Sequence, residues 1–399
     1  MARLLSKIGS DGQADGAGNS FRMFVLDEAA RQRKAGGHDI IRLTLGKSDL
    51  PLHADIREAI VEAVRDTRKS NLVFPEGLPE LRSALAAHYT SLAGVSVQGT
   101  RILVDAGTSS VYPSLFRLLA GSEDEVLLPL PYYPLYRLSA FLAGSLVRYY
   151  RIALDSMKVD IESYVRGITS RTRIIVLNSP GNPLGNIVTR DELTRMLDLL
   201  PEHAFLVFDE IYENILFGSE QCLTPLLLNQ AGKHASRTIV TNSCSKGYRM
   251  YTKRVGWCVL PETLVGAMRV ILHHTRLTVD PAVQYGAVEA LRHPGEVEYL
   301  CRTHRKRWKY AQHHLQSIPG VGLLPSSGGF YFTLDCREFI QTHQLANCLA
   351  LALNILDQAG VATVPGEDFG LPGILRMSFT SSRFEEAIDR LAAFFRGER

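Results

Sequence analysis

The chain has 399 residues, with 44 lysines and arginines against 41 aspartates and glutamates. The resulting net charge of +3 is too small to favour binding to nucleic acid or to an anionic membrane. No apolar run approaches the ~20 residues of a membrane span, and no signal-peptide pattern begins the chain, so we expect a cytoplasmic protein. The length exceeds the size at which one hydrophobic core keeps growing, which predicts two domains.

The chain begins with a segment that lacks apolar periodicity. Residues 1–20 are rich in Gly, Ser, Asp and Ala, which predicts a flexible arm. From about residue 50 to 290, short β-rich runs alternate with amphipathic helical stretches, a pattern that predicts a large α/β domain with a mainly parallel sheet. The predicted strands are residues 101–105, 125–130, 146–152, 173–177, 204–208, 238–241 and 254–259. Thr189 is a predicted N-cap of one intervening helix.

The pattern changes beyond about residue 290. A long charged helix is followed by a strand near residues 329–334, a Leu/Ala-rich helix and a strand at residues 375–379, and a capping box from Ser382 to Glu385 is predicted to open a last helix. This order predicts a small α+β domain made of residues 291–399 and completed by residues 21–49. The basic residues of the long helix, including His304, are predicted to form its solvent-facing side.

The cysteines predict neither disulfides nor a metal site. Cys222, Cys244, Cys258, Cys301, Cys336 and Cys348 show no C-x-x-C pair and no metal-ligand spacing with histidine. We expect reduced, mostly buried thiols.

The strongest chemical signal is Lys246, which lies between Ser243 and Ser245 and eight residues before Arg254. A lysine amine forms a reversible Schiff base with a carbonyl, while the hydroxyls and the guanidinium can donate to a phosphate. This combination suits a cofactor that is both an aldehyde and a phosphate, such as pyridoxal 5'-phosphate (PLP). The alternative is a surface lysine in a polar loop.

Further polar residues follow predicted strands, where ligands of α/β sheets bind. Asp209 directly follows an apolar strand, and its carboxylate would suit a protonated pyridine nitrogen, with Tyr212 donating to the ring's phenolate oxygen. The alternative is a helix N-cap beside a tyrosine. Asn182 lies in a stiff Pro/Gly loop at residues 178–185, which is suited to holding an amide towards the same oxygen, although a plain turn is also possible.

Two other strand ends fit the same cofactor. Gly107, Thr108 and Ser109 open a helix whose free backbone N–H groups would favour a phosphate, although the same residues are common in turns. Tyr133 follows a strand and could stack on a heteroaromatic ring, or serve as a core or interface tyrosine.

Together, in this order and spacing, these residues resemble the fold-type I PLP enzymes and in particular the class I/II aminotransferase family. The most specific parts are Asn182-Pro183-x-Gly185, Asp209-x-x-Tyr212, and Ser243-x-Ser245-Lys246 with Arg254-x-Gly256. The resemblance runs from about Ser20 to the C-terminus. It implies the aspartate aminotransferase-like fold, with a seven-stranded sheet in the large domain, and a homodimer with shared active sites.

The resemblance also implies residue roles. Lys246 is expected to be the Schiff-base lysine that forms the aldimine and moves the proton. Asp209 is expected to hold the pyridine nitrogen, Asn182 and Tyr212 the ring oxygen, and Tyr133 the ring face. The phosphate cup is expected to comprise Thr108, Ser109, Ser243, Ser245 and Arg254. Arg376 is expected to bind the substrate α-carboxylate, which lies against Gly46.

Two departures from the family pattern accompany these matches. Phe74 stands where a tyrosine commonly reaches the phosphate of the partner subunit, and Thr252 replaces a more usual glycine near Arg249 and Lys253. These extra cations are predicted to be surface residues, although they could also reshape the phosphate side or the substrate entrance. No second arginine that would select a dicarboxylic acid can be placed, and Arg276 is a weak candidate.

The sequence therefore predicts an aminotransferase that moves an amino group from an amino acid to a keto acid. The alternative with the same cofactor is a lyase or cyclase acting at the β- or γ-carbon, because those reactions share the first step. An effector-sensing module of a transcription regulator is a third hypothesis, but only about 20 residues precede the matching region, too few for a winged helix.

Overall fold

The computed structural model of the protein describes residues 21–218, 223–228 and 234–398. The predicted arm at residues 1–20 and Cys222 lie outside the described residues. The five described cysteines are free thiols, and all but Cys301 are buried, as predicted.

The large sheet has seven strands in the described residues, and each corresponds to one predicted run. The strands are β2 Ile102–Asp105, β3 Glu125–Leu130, β4 Leu146–Arg151, β5 Thr172–Asn178, β6 Phe205–Asp209, β7 Thr238–Ser243 and β8 Gly256–Val259. Their order in the sheet is β2-β8-β7-β6-β5-β3-β4, and only β8 runs antiparallel to its neighbours. The fold prediction is confirmed in this respect.

Both faces of this sheet are buried beneath helices. Val126 and Ile174 pack in one hydrophobic cluster, whereas their chain neighbours Leu127 and Ile175 pack in another on the opposite face. Alternate residues of a strand point to opposite faces, so a strand covered on both sides is apolar throughout, as the sequence shows.

The α-helices in the described part of the chain, numbered in order, are α1 Arg22–Ala35, α2 Ala54–Arg65, α3 Thr67–Ser70, α4 Pro79–Ala93, α5 Thr108–Leu119, α6 Pro134–Ala143, α7 Ile161–Gly167, α8 Arg190–Asp198, α9 Pro225–Leu228, α10 Glu262–Arg276, α11 Pro281–Ala290, α12 Pro294–Leu315, α13 Arg337–Thr342, α14 Cys348–Gln358 and α15 Phe384–Arg396. Thr189 caps α8 through a complete capping box with Glu192, as predicted. None of these helices is both long and apolar enough to cross a bilayer.

A second hydrophobic core lies apart from the large sheet. Short strands β9 Gly322–Leu323, β10 Tyr331–Asp335, β12 Val364–Pro365 and β13 Ile374–Ser378 form one sheet, and β1 Ile41–Arg42 pairs in parallel with β11 Val361–Ala362. Leu26 and Ile41 are buried in the same cluster as Leu391 of the last helix. The N-terminal segment thus packs with the C-terminal part of the chain. The division into domains at residues 50 and 290 stays a prediction.

Two local predictions are wrong. Ser382 does not cap the last helix, which begins at Phe384; the Ser382 N–H and hydroxyl donate to the Asp49 carboxylate instead. His304 is not on the wet side of α12, because its ring is fully buried against Phe330 and Phe379. The local pattern missed both because each partner lies far away along the chain.

Candidate active site

Three parallel strands end side by side at one edge of the large sheet. β5 ends at Asn178, β6 at Asp209 and β7 at Ser243. Asn178 pairs with Asp209, and Asp209 pairs with Thr241 of β7. The sheet fixes the backbone at the ends of these strands, so the polar residues predicted at separate strand ends meet at this edge.

Lys246 lies in the turn after β7, and its side chain is buried. Its Nζ donates a hydrogen bond of 2.7 Å to the Gly46 carbonyl oxygen. Burial is the main cause that lowers the pKa of Lys246, and the charges of Arg376 and Arg254 act in the same direction. A surface lysine is therefore excluded, and the amine loses its proton more readily, as attack on a carbonyl requires.

Asp209 is buried at the end of β6 with only 3% exposure. The Tyr136 hydroxyl donates to its Oδ2 at 2.6 Å, and the Ile211 N–H donates to its Oδ1 at 3.1 Å. Burial raises the pKa of Asp209, although these hydrogen bonds oppose the shift. Because residues 211–214 form a turn, Asp209 is not a helix N-cap. A cationic ring nitrogen would stabilise such a carboxylate.

Tyr133 lies close to this carboxylate. It directly precedes α6, and its ring centroid is 5.6 Å from that of Tyr136, which binds Asp209. The residue is only partly buried, and in this position its ring could stack on a planar ligand.

Asn182 is held in place by its neighbours. Its backbone N–H donates to Asn178 Oδ1 at 2.7 Å, and Asn178 Nδ2 donates to the Asp209 carbonyl oxygen at 3.0 Å. Arg376 Nη1 lies 3.5 Å from Asn182 Oδ1, so the amide nitrogen is the end that can donate to a ligand.

Tyr212 faces the same space as Lys246. The lysine Nζ is 5.8 Å from the centroid of the Tyr212 ring. The Tyr212 hydroxyl donates to the hydroxyl of Tyr331, and burial raises the pKa of Tyr212 well above its ordinary value. Tyr212 therefore remains a neutral hydrogen-bond donor.

A cup of donors forms around the start of α5. Arg254 Nη2 donates to Ser109 Oγ at 2.7 Å, and Nη1 lies 3.5 Å from Ser245 Oγ. A Cβ at Gly107 would lie 2.3 Å from Arg254 Nη2, so only glycine, with its φ of +78°, lets the guanidinium approach. Together with the free N–H groups of the helix start at Thr108, this arrangement suits a phosphate dianion.

Ser243 completes the link between the cup and the lysine. Its Oγ accepts the Ser245 backbone N–H at 3.1 Å, and both serines are buried. The hydroxyl hydrogen of Ser243 can still be donated, since the bond to Ser245 uses only its oxygen.

Arg376 lies on β13 with only 4% exposure. Its Nη2 donates to the Thr44 carbonyl oxygen, and its Nε is buried without a hydrogen-bond partner. A buried guanidinium N–H that lacks a partner is costly, and a carboxylate placed beside it would remove the cost. Gly46 lies two residues after Thr44, and because it has no side chain it leaves space beside the backbone for such a carboxylate.

Tyr331 is a site residue that the sequence analysis missed. A Cβ added to Gly46 would lie 2.0 Å from the Tyr331 hydroxyl oxygen and 2.7 Å from Lys246 Nζ, so both groups share one small space. The guanidinium carbon of Arg376 is 4.1 Å from the Tyr331 ring centroid. No local signal marks Tyr331, since it occurs within an apolar, aromatic strand.

The residues that depart from the family pattern differ in their burial and contacts. Arg249 is not a surface residue, because its side chain is only 7% exposed and pairs with Glu296. Thr252 is exposed, whereas the Tyr251 ring centroid is 5.1 Å from Lys246 Nζ. Phe74 is half-buried, and its N–H donates to Thr278 Oγ1 at 3.4 Å.

Arg276 is committed to a structural pair. It forms an ion pair with the buried Asp105 and donates to Ser114 Oγ at 3.0 Å. It is therefore not available to select a substrate within this chain.

A group of metal-binding side chain types lies outside the site. His53, Asp55 and His293 place one ligand atom each within 4.8 Å of one another. The Asp55 N–H donates to His53 Nδ1, and its carboxylate is 3.4 Å from His293 Nε2. These groups satisfy one another, so we assign no ion to them.

Comparison with known proteins agrees with the fold and shows the family. The family model described as aminotransferase class I and II matches residues 38–394. The chain is 30% identical to an asparagine–oxo-acid transaminase of Streptococcus mutans, over 92% of this chain and 94% of the relative. It is also 30% identical to an aspartate aminotransferase of Bacillus subtilis, over 93% and 95% of the two chains.

Solved structures give the same result. A double mutant of Thermus thermophilus aspartate aminotransferase superposes with a TM-score of 0.86 at 27% identity, with 98% of each chain covered. An alanine aminotransferase from Pyrococcus furiosus gives a TM-score of 0.86 at 26% identity, with 95% and 98% covered.

A sheet edge with a buried lysine, a buried carboxylate and a group of phosphate donors is the arrangement expected of a PLP-binding transferase. The chain belongs to the class I and II aminotransferase family, and it is a PLP-dependent enzyme that transfers amino groups. The relatives named above are all transaminases, so the lyase or cyclase alternative is not favoured.

Proposed function

We propose that Lys246 is the residue that holds PLP covalently and carries the proton during amino transfer. The observation that carries the proposal is the state of its amine: it is buried, its pKa is lowered, and it lies between the proposed phosphate and carboxylate sites. PLP itself supplies an electron sink for the bond that breaks at the α-carbon of the amino acid.

The surrounding residues would hold the cofactor at both ends and on one face. Asp209 would keep the ring nitrogen protonated, because its buried carboxylate gains most from a cationic partner. Asn182 and Tyr212 would donate to the ring oxygen, and Tyr133 would stack on the ring. Thr108, Ser109, Ser243, Ser245 and Arg254 would receive the phosphate.

Arg376 would fix the substrate. A carboxylate that approaches its unpartnered Nε would lie beside the backbone of Gly46, within reach of the Lys246 amine. An amino acid bound in this way would have its α-carbon near Nζ, where the Lys246 amine, once deprotonated, could take up the α-proton.

The substrate class follows from this geometry as an amino acid with a free α-carboxylate, and a keto acid as acceptor. The names of relatives include asparagine, aspartate, prephenate and alanine, so these compounds are the first substrates to test. We also keep the homodimer with shared active sites and the cytoplasmic location as predictions.

The test separates cofactor capture from turnover. Wild type loaded with PLP and reduced with borohydride should carry the reduced cofactor on the peptide that contains Lys246, as read by mass spectrometry. Lys246→Ala should not capture it, while Lys309→Ala, which removes an exposed lysine of α12, should behave as wild type. Capture on another lysine would refute the assignment.

The reaction type is tested by a half-reaction. One amino acid supplied without a keto acid should convert the bound cofactor once, in stoichiometric amount, to pyridoxamine phosphate. Repeated turnover without an acceptor, or release of ammonia or a cyclised product, would refute transamination as the main reaction.

Light scattering of the loaded enzyme would test the dimer.

A further inference from the structure

The hydroxyl of Tyr331 lies at the centre of the candidate site. The residue is 4% exposed, and it lies on β10 beside Arg376 of β13. Its oxygen and Lys246 Nζ are both in contact with the backbone of Gly46. None of the predicted site roles uses this hydroxyl.

Four ionisable side chains interact with this phenol: Lys246, Arg376, Tyr212 and Tyr133. Asp209 and Arg254 in turn act on Lys246. Burial alone would raise the pKa of Tyr331, but the two cations and the hydrogen bond from Tyr212 lower it below its ordinary value. In return, Tyr331 raises the pKa of Lys246, against the effect of burial.

Arg376 gives the ring a second contact. Its guanidinium carbon lies 4.1 Å from the Tyr331 ring centroid and 5.0 Å from the Phe369 centroid. Stacking on two aromatic faces fixes the plane of a guanidinium, which is needed for bidentate binding of a carboxylate. The ring and the hydroxyl of Tyr331 thus have separable effects.

We propose that Tyr331 is a positioning residue for amino transfer, whose hydroxyl orients the Lys246 amine while its ring holds the Arg376 guanidinium in plane. This proposal rests on the proposed role of Lys246. The Tyr331 hydroxyl is hydrogen-bonded to the Lys246 amine as well as to Tyr212. With the Tyr212 hydroxyl donated to the cofactor, the Tyr331 oxygen would still be available to the amine beside Gly46. A fixed amine can then approach the α-proton along one direction, which favours proton transfer over rotation away from the substrate.

The first measurement needs no cofactor. Apoenzyme is treated with acetic anhydride across a pH series, and labelling of the Lys246 peptide is read by mass spectrometry. Tyr331→Phe should shift the half-labelling pH of Lys246 downward, because it removes a group that raises the pKa of the amine while Arg376 and Arg254 remain. Tyr164→Phe is the matched control, since it deletes a buried hydroxyl that donates to the Met196 carbonyl oxygen at 3.0 Å, outside the site.

The second measurement uses the loaded enzyme. Tyr331→Phe should lower kcat about tenfold or more with KM changed less than about threefold, the size expected for losing one hydrogen bond to a charged group. Tyr331→Leu should also raise KM, since it removes the aromatic face beneath Arg376. The Tyr164→Phe control should leave both parameters unchanged.

The outcomes distinguish this proposal from the one on which it rests. If Lys246→Ala still captures the cofactor, the role of Lys246 is refuted, whatever the results for the Tyr331 variants. If Lys246 is the anchor but Tyr331→Phe labels and turns over as wild type, only the role of the hydroxyl is lost. A fall in kcat with an unchanged labelling profile would also overturn it, because the hydroxyl would then act on the substrate rather than through the lysine.

Discussion

The replacement Arg376→Lys tests the proposed carboxylate site most directly. In the structure, one terminal nitrogen of Arg376 is occupied by the Thr44 carbonyl, another lies 3.5 Å from Asn182 Oδ1, and Nε is buried without a partner. Lysine keeps the positive charge but has a single nitrogen. It cannot serve the Thr44 carbonyl and both oxygens of a carboxylate at once.

The size of the effect follows from the bonds that are lost. A hydrogen bond between charged groups contributes about 1.5–3 kcal/mol, so a bidentate pair contributes about 3–6 kcal/mol. Since each ~1.4 kcal/mol corresponds to a tenfold change in rate, kcat/KM should fall about 10²- to 10⁴-fold. Most of this loss should appear in KM, because the carboxylate is bound in the ground state as well as in the transition state.

The assay is the half-reaction of loaded enzyme with increasing concentrations of a single amino acid, followed by the visible absorbance of the cofactor. Arg383→Lys is the control, since it makes the same replacement at a half-exposed arginine that pairs with Asp39 on the surface. A kcat/KM for Arg376→Lys within threefold of wild type, with every amino acid that reacts, would refute the assignment of the carboxylate site.

Two further predictions concern buried ionisable groups. Asp209→Asn should lower the single-turnover rate about 10²- to 10³-fold, the size expected when one preorganised electrostatic group is removed, because the ring nitrogen would lose the carboxylate that keeps it protonated. The surface replacement Asp39→Asn should leave the rate unchanged. A wild-type rate in Asp209→Asn would contradict the proposed ring contact. His304 has its pKa lowered from 6.5 to about 3, mainly by burial. Below pH 6.5 the unfolded chain binds a proton on His304 that the folded protein excludes. His304 therefore costs no stability above pH 6.5, and the free energy of unfolding falls as the pH drops from 6.5 towards 3, by up to about 5 kcal/mol. Urea unfolding from pH 7 to 4 should show a smaller loss of stability in His304→Gln than in wild type, with the exposed His38→Gln as control; parallel curves would disprove the effect.

Much of the fold could be predicted because it depends on local patterns. The seven strands of the large sheet are runs of apolar residues covered on both faces, and their ends were placed within two residues of the observed ones. The Thr189 cap and the helix start at Thr108 also depend only on near neighbours. Asp209 is recognisable because a carboxylate directly after an apolar strand is costly unless it has a partner. Lys246 is recognisable from the neighbouring Ser243, Ser245 and Arg254, and Asn182 from its stiff Pro/Gly loop.

Other features depended on segments that meet only in three dimensions. Lys246 and the Gly46 carbonyl oxygen are 200 residues apart in the chain, and Arg376 and the Thr44 carbonyl oxygen are 332 apart. Tyr331 has the sequence context of an ordinary strand residue, and nothing local places its hydroxyl beside the lysine.

Local patterns in the chain were sufficient to predict the seven strands, the polar residues that follow them and the family. The packing of distant segments was needed to show that Arg249 is buried against Glu296, that Arg276 pairs with Asp105 and that the Tyr331 hydroxyl lies beside the Lys246 amine. The physical reason is that periodicity reports whether a residue is buried, whereas the partner of a buried polar group is set by how distant segments pack.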